Sequence, residues 1–275
     1  MNKIMTLLTF FIFIFGFSQT HRFIYEVNYK KDSTENNLTK EYYHLDINPK
    51  ETLFYDRTFF ESDSIIKSNP NGGFPAPNMN NIVLHKKGTK LFEDYEFIGW
   101  DVIKRASEPE QSWTLTDEKK KLGNLEIQKA VSNWGGRKWT AWFAKEIPFS
   151  EGPQKFHGLP GLIVILEDER HNYSFKLVNS RNYSKTNSID FFQNIFPRSL
   201  FLDEAKYKKF KLNFYEDPLA YAKNGRIEIT SENKLALDDG TIVTPDNIRE
   251  VTLIQQKRIK KYYNPIELDN AIHYP

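Results

Sequence analysis

From residue 22 to residue 178 the chain alternates apolar and polar positions in short runs, the period of two that marks half-buried strands. Residues 22–30 set Phe23, Tyr25, Val27 and Tyr29 on one side and Ile24, Glu26 and Asn28 on the other. Residues 41–47 and 52–58 repeat the pattern across Asn48-Pro49-Lys50-Glu51, and residues 82–85 and 90–97 repeat it across Lys86-Lys87-Gly88. Residues 98–104 and 112–115 read as two more strands, with Glu108-Pro109-Glu110 between them. Residues 125–131 and 137–144 flank Gly135-Gly136, a pair suited to a type I′ turn because both central positions need positive φ. Residues 162–166 are apolar on both faces and predict a central, doubly covered strand; 167–172 predict a solvated turn and 173–178 a returning strand. Short links of this kind join neighbours in an antiparallel meander. Residues 68–81, rich in Pro, Gly and Asn, predict a long surface loop or a helix broken at both ends.

The period changes near Asn187. Residues 188–196 offer Ser188 as a helix cap, followed by Ile189, Phe192 and Phe196 at near-helical spacing. Residues 199–215 align Tyr207, Phe210 and Phe214 in one stripe, with lysines over the rest. Asp217-Pro218 opens a further short helix that ends at Asn224-Gly225. Residues 226–230 and 241–243 read as short strands, residues 247–263 fit strand or helix equally, and the last dozen are irregular. The expected class is α+β: a mainly antiparallel meander sheet with helices late in the chain. A half-barrel resembling that of periplasmic lipoprotein carriers is expected by analogy of fold alone. One domain is expected over residues 19–275, with a helical insertion at about 187–224.

The N-terminus adds a destination. Lys3 precedes an almost unbroken apolar run over residues 4–17, and Gly16 and Ser18 are the small residues a cleavage site needs. Residues 1–18 therefore read as a cleaved signal peptide. At about 14 residues the run falls short of the roughly 20 that span a bilayer, so the mature chain is expected to have no transmembrane segment. No Cys follows it to carry a lipid, so the expected location is periplasmic or secreted, and not a lipoprotein. With Cys 0, neither a disulfide nor a thiolate is available, and stability must come from core burial, for which 275 residues suffice. Aromatic residues at 15% favour pleated surfaces. A net charge of +2 supplies no concentrated basic face for nucleic acid.

Residues 134–166, WGGRKWTAWFAKEIPFSEGPQKFHGLPGLIVIL, form the most distinctive stretch. Within it Gly158-Leu159-Pro160-Gly161-Leu162-Ile163 resembles the motif that names the GLPGLI family, secreted proteins of Bacteroidetes-type bacteria with no assigned activity. Gly136-Arg137-Lys138-Trp139, Ala141-Trp142-Phe143, Glu146-Ile147-Pro148 and Gly152-Pro153 are similar to that family too, and the likeness runs over roughly residues 124–180. The family pattern includes a Cys on the strand before the Trp hairpin, where this chain reads Ile127-Gln128-Lys129-Ala130. The resemblance implies a non-enzymatic envelope protein and supplies no catalytic residue.

Candidate contacts for a ligand or partner are Trp139, Trp142, Phe143, His157, Gly158, Leu159, Pro160 and Gly161. The plainer use of the two glycines is a tight corner feeding a buried strand. Alternation sets Trp139 and Trp142 on opposite faces of their strand. None of the six histidines (His21, His44, His85, His157, His171, His273) pairs at helical i, i+4 spacing, so neither a metal nor another cofactor is expected. No Ser stands on a Gly-flanked elbow, and Glu167-Asp168-Glu169 reads as a solvated turn. The expected function is that of a non-catalytic secreted envelope protein that binds an apolar or peptide-like ligand or an outer-membrane protein. The alternatives are a secreted hydrolase with a site assembled across strands, and a structural accessory to an outer-membrane transporter.

Overall fold

Two antiparallel meanders meet along their first and last strands. The first comprises β1 (Thr20–Tyr29), β2 (Thr39–Ile47), β3 (Glu51–Asp56), β4 (Asn81–Lys86), β5 (Phe92–Ile98) and β6 (Asp101–Ser107). The second comprises β7 (Thr114–Leu122), β8 (Leu125–Trp134), β9 (Arg137–Ala144), β10 (Leu162–Asp168) and β11 (Tyr173–Tyr183). β1 pairs with β11 from Thr20↔Tyr183 to Tyr29↔Tyr173, so the seam joins segments far apart in sequence. A two-residue strand, β12 (Leu200–Phe201), adds in parallel to β6 and completes the order β12-β6-β5-β4-β3-β2-β1-β11-β10-β9-β8-β7. The computed structural model describes residues 20–68, 81–184, 190–230, 232–237 and 239–275. The segment read as a signal peptide, and residues 69–80 of the Pro/Gly/Asn-rich stretch, lie outside them.

This sheet is rolled. A flat one would hold β6 and β7 ten strand spacings apart, about 48 Å at ~4.8 Å each. Only residues 108–113 link those strands, and such a link reaches at most about 25 Å. The edges stay unpaired with each other, so the roll is open and the barrel is not closed.

The inside of the roll is full. Phe23, Tyr25, Val27 and Tyr29 of β1 are buried there beside Tyr43, Leu45, Trp139, Ala141 and Phe143. The connection from β9 to β10, residues 145–161, folds inward and adds Phe156 at 0% exposure. The Phe156 ring lies 4.6 Å from Trp139, 4.9 Å from Trp134 and 6.3 Å from Trp113. The opposite wall holds the same connection: Asn81 donates to Gln154 at 3.2 Å, and Lys155 pairs with Asp94 at 2.7 Å. Tyr25 adds a hydrogen bond from its hydroxyl to the carbonyl of Ile163, at 2.7 Å.

Gly135-Gly136 makes the two-residue turn its sequence predicts, with φ of 62° and 72° and Trp134 opposite Arg137. Gly161 has φ 149°, and a Cβ on it would stand 2.3 Å from the carbonyl oxygen of Ala144. The GLPGLI corner is thus a close backbone crossing that launches β10, which is buried on both faces.

Helices cover the outside and one end. α1 (Arg57–Ser68) and α2 (Asp190–Ile195) lie over an outer core of Tyr55, Phe59, Ile82, Leu84, Tyr95 and Phe192. α3 (Glu204–Glu216), α4 (Ala220–Lys223) and α5 (Ile248–Lys261) follow, with a small hairpin of β13 (Leu235–Ala236) and β14 (Ile242–Val243) between the last two. Among the described residues no helix is long and apolar enough to cross a membrane.

Several expectations need correction. The strand expected over 52–58 ends at Asp56, whose carboxylate caps α1 by accepting from Thr58 N at 2.6 Å; Phe59, Ser62 and Asp63 are buried at i, i+3, i+4 spacing. The helix expected from 199 starts at Glu204, because Asp203 caps it by accepting from Lys206 N. Residues 226–230 form no strand, and 247–263 resolve as α5. The turn expected over 167–172 starts later, since Asp168 is only 2% exposed and ion-paired with Arg137.

Candidate functional site

One end of the roll opens into a cleft of about 560 Å³. Its walls come from β5 and β6, residues 154–155 of the inward connection, α3, and the C-terminal segment after α5. Period two on β5 aims Phe92, Asp94 and Glu96 at the same side, and Arg105 of β6 stands directly across from Asp94. Carboxylates therefore occupy positions that an ordinary half-buried strand would fill with apolar groups.

These charges are paired. Lys155 Nζ lies 2.7 Å from Asp94 Oδ2 and 2.7 Å from Glu267 Oε1, and its side chain is 6% exposed. Glu96 accepts from the Tyr207 hydroxyl at 2.6 Å and from Lys211 Nζ at 2.8 Å. Arg105 lies over the Tyr207 ring, its Cζ 4.0 Å from the ring centre, and reaches Glu204 at 3.5 Å. Burial alone would push Glu96 and Glu267 upward; Lys211 and Tyr207 at Glu96, and Lys155 and Asn270 at Glu267, outweigh it and hold both below the usual carboxylate range. Burial would push Lys155 down, and its two carboxylates outweigh that and raise it. Burial raises the Tyr207, Tyr263 and Tyr274 phenols. Near neutral pH the cleft is thus a fixed array of full charges and neutral phenols.

A second groove of about 610 Å³ lies at the Gly135-Gly136 turn, and Trp134 lines both. Under this turn Arg137 spends one nitrogen on buried Asp168 (3.1 Å) and the others on the C-terminal segment. Asp168 also accepts from Tyr173 N at 2.7 Å, so the pair is held from both sides.

The residues singled out in the sequence do not form one site. Trp139, Phe143, Leu159 and Gly161 are buried in the roll. Trp142 faces the other way and stacks beneath Lys120 at 3.9 Å, while Gly158 and Pro160 are exposed at the corner. His157 sits against Phe92 (4.9 Å) and His85 (5.7 Å). His85 gives its Nδ1 to Glu151 at 2.9 Å and its Nε2 to the Thr89 carbonyl at 3.0 Å. With the Glu151 carboxylate and the Thr89 carbonyl as acceptors, both contacts are satisfied together when both ring nitrogens carry a proton. Burial would lower its pKa; Glu151 and Thr89 reverse that and raise it. Among the described residues no group of three His, Asp or Glu is placed to hold a metal ion. Asp94, Glu96, Arg105, Lys155, Tyr207 and Glu267 were missed because they lie on five separate segments; the detectable signal was the Phe92-Asp94-Glu96 face.

Comparison with known proteins gives a family likeness and a fold. Residues 135–167, from the Gly-Gly turn through the inward connection to β10, match a family described as "Protein of unknown function (Porph_ging)". No curated protein matches the sequence. Two solved structures of PNGF-II, in space groups C2 and P21, superpose with TM-scores of 0.50 and 0.51 at 15% identity. Each alignment covers 70% of this chain but 32% and 33% of the other, so the chain spans about a third of those proteins. The likeness is one of fold.

Proposed function

We propose that this is an exported, non-catalytic envelope protein of the GLPGLI type, which holds a polar, peptide-like ligand in the cleft at the mouth of the roll. The observation that carries the reading is the paired array Asp94–Lys155–Glu267 and Lys211–Glu96–Tyr207, lined by tyrosines. A proton-transfer site needs a group poised near the working pH. Here Glu96 and Glu267 are pushed below the usual carboxylate range and Lys155 above the usual amine range, away from the working pH, which suits holding over transferring. Buried fixed charges flanked by aromatic faces match a ligand with alternating polar and apolar parts. What supports the peptide-like ligand over an apolar one is Phe156, which packs the place inside the roll that a lipid would need. Export rests on the apolar N-terminal run over residues 4–17.

Native mass spectrometry of protein purified from its own envelope tests this. A co-purifying polar or peptidic molecule is the expected result. A bound lipid, a bare protein, or turnover of a peptide and ester panel above the buffer rate would each overturn it.

A further inference from the structure

We infer that the cleft and the adjoining Gly-Gly turn form a receptor for an extended peptide of the type Asn-Pro-aliphatic-acidic, and that residues 263–268 (YNPIEL) occupy it as a built-in stand-in for a partner protein's segment. The inference rests on the binding reading above and names its ligand.

The contacts are those a protein uses to hold a peptide. Arg137 donates through Nε to the Ile266 carbonyl at 3.0 Å, and through Nη2 to the Pro265 carbonyl and the Asn264 Oδ1, both at 2.7 Å. The Tyr173 hydroxyl donates to the Asn264 carbonyl. The amide of Leu268 donates to the Gly135 carbonyl at 2.7 Å, and the Glu267 carboxylate meets Lys155 at 2.7 Å. Backbone carbonyls, one amide side chain, one carboxylate and the half-buried Ile266 are read in order. Proline in the middle favours the extended backbone of such a segment. The bare tip of the turn completes the fit: a Cβ on Gly135 would stand 3.2 Å from Glu267 Cα, and one on Gly136 would stand 2.7 Å from Asp269 Oδ1.

Receptor and occupant are unequally embedded, which argues for an exchangeable strap over a piece of core. Arg137, Lys155, Asp168 and Tyr173 are 7%, 5%, 2% and 5% exposed and locked by partners inside the sheet. Asp168 in particular fixes the Arg137 guanidinium so that two of its nitrogens face outward. None of residues 263–268 is fully buried, and residues 263–267 belong to no helix or strand; Leu268 opens a single 3-10 turn, Leu268–Asn270. Preorganised donors beneath a half-buried, largely irregular segment lower the cost of replacing that segment with another of the same chemistry.

The test uses the full chain and a fluorescein-labelled, capped peptide YNPIEL, followed by fluorescence anisotropy. Binding is expected. Losing the charge-assisted bond to Lys155 should weaken the peptide YNPIQL by about tenfold. Binding to the Glu267→Gln protein should be about tenfold tighter than to the wild type, because its own strap is loosened. Equal binding of a scrambled peptide, or no binding to either protein, overturns the inference. A shift of the Glu267→Gln protein to a dimer also overturns it, since the occupant would then be a second copy's strap. Hydrogen exchange on the wild type guards against a variant that fails to fold: the amides of Asn264, Ile266, Glu267 and Leu268 should exchange by local opening, faster than those of β9 and β10, and equal protection counts against it. If a polar ligand co-purifies while YNPIEL does not bind, the peptide assignment falls and the binding reading stands.

Discussion

Replacing Lys155 by Met keeps most of the side chain's length and removes its charge, leaving Asp94 and Glu267 facing each other without a cation. Breaking a buried ion pair from one side costs about 3–5 kcal/mol, because the remaining charge stays desolvated. The Lys155 and Asp94 side chains are each 6% exposed, whereas Glu267 is 26% exposed and partly screened by solvent. The lower end, about 3 kcal/mol at pH 7, is therefore expected. At about 2–4 °C per kcal/mol for a chain of this size, the melting temperature should fall by roughly 6–12 °C. The pH dependence follows from the shifts. Glu267 is depressed in the folded state, so its share is present above its unfolded value of about 4.3 and lost as pH falls through the folded one. Lys155 is raised, so its share is complete below about 10.4 and lost as pH rises through the folded value. In the variant, protonation relieves the two stranded carboxylates, so the deficit should shrink as pH drops towards 4. Urea unfolding followed by tryptophan fluorescence from pH 4 to pH 8 measures this. A deficit under about 1 kcal/mol at pH 7, or one unchanged at pH 4, refutes the reasoning.

Three further outcomes are expected. Phe156→Ala should cost about 3–5 kcal/mol in urea unfolding at unchanged m-value, since it removes a fully buried ring from between three tryptophans; a cost below about 1 kcal/mol would mean that the roll does not depend on this filling. Gly161→Ala should lose about 2–3 kcal/mol or fail to fold, because its Cβ would strike the Ala144 carbonyl, whereas Gly158→Ala meets no neighbour and pays only for its φ of +90°; equal losses in the two variants would contradict the close crossing. His85 is raised in the folded state, so the stability it gains from Glu151 is complete below about 6.5 and lost as pH rises through the folded value. The stability gap between wild type and His85→Gln should be about 1.5–3 kcal/mol at pH 6 and narrow towards pH 9, and a gap independent of pH would show that the ring is not an imidazolium.

The sheet was legible where one face is apolar and the other polar. β1 shows it best: Phe23, Tyr25, Val27 and Tyr29 are all buried, and the alternating Glu26 and Asn28 are half-buried. The Gly135-Gly136 turn and the doubly buried β10 were equally plain, because each imposes a local rule on composition. α1 stayed hidden because Thr58, Phe59 and Phe60 prolong the β-favouring run of β3, and the helix shows only in the burial of Phe59, Ser62 and Asp63. The cleft was illegible for another reason. Lys155 sits in a proline-bounded connection and Glu267 in an irregular terminal segment, and nothing local marks either as a partner of Asp94. That pairing exists only because the sheet rolls, and the roll follows from a short link between strands at opposite edges.

Whether the mouth of the roll or its interior takes the proposed ligand is decided most directly by a crystal structure of the protein purified from its native cells. Electron density for the bound molecule is expected beside Lys155 and Arg105, displacing or flanking residues 264–267, with Phe156 unmoved against Trp139. Density inside the roll, with Phe156 swung aside to admit it, would contradict a polar cleft and restore the apolar carrier.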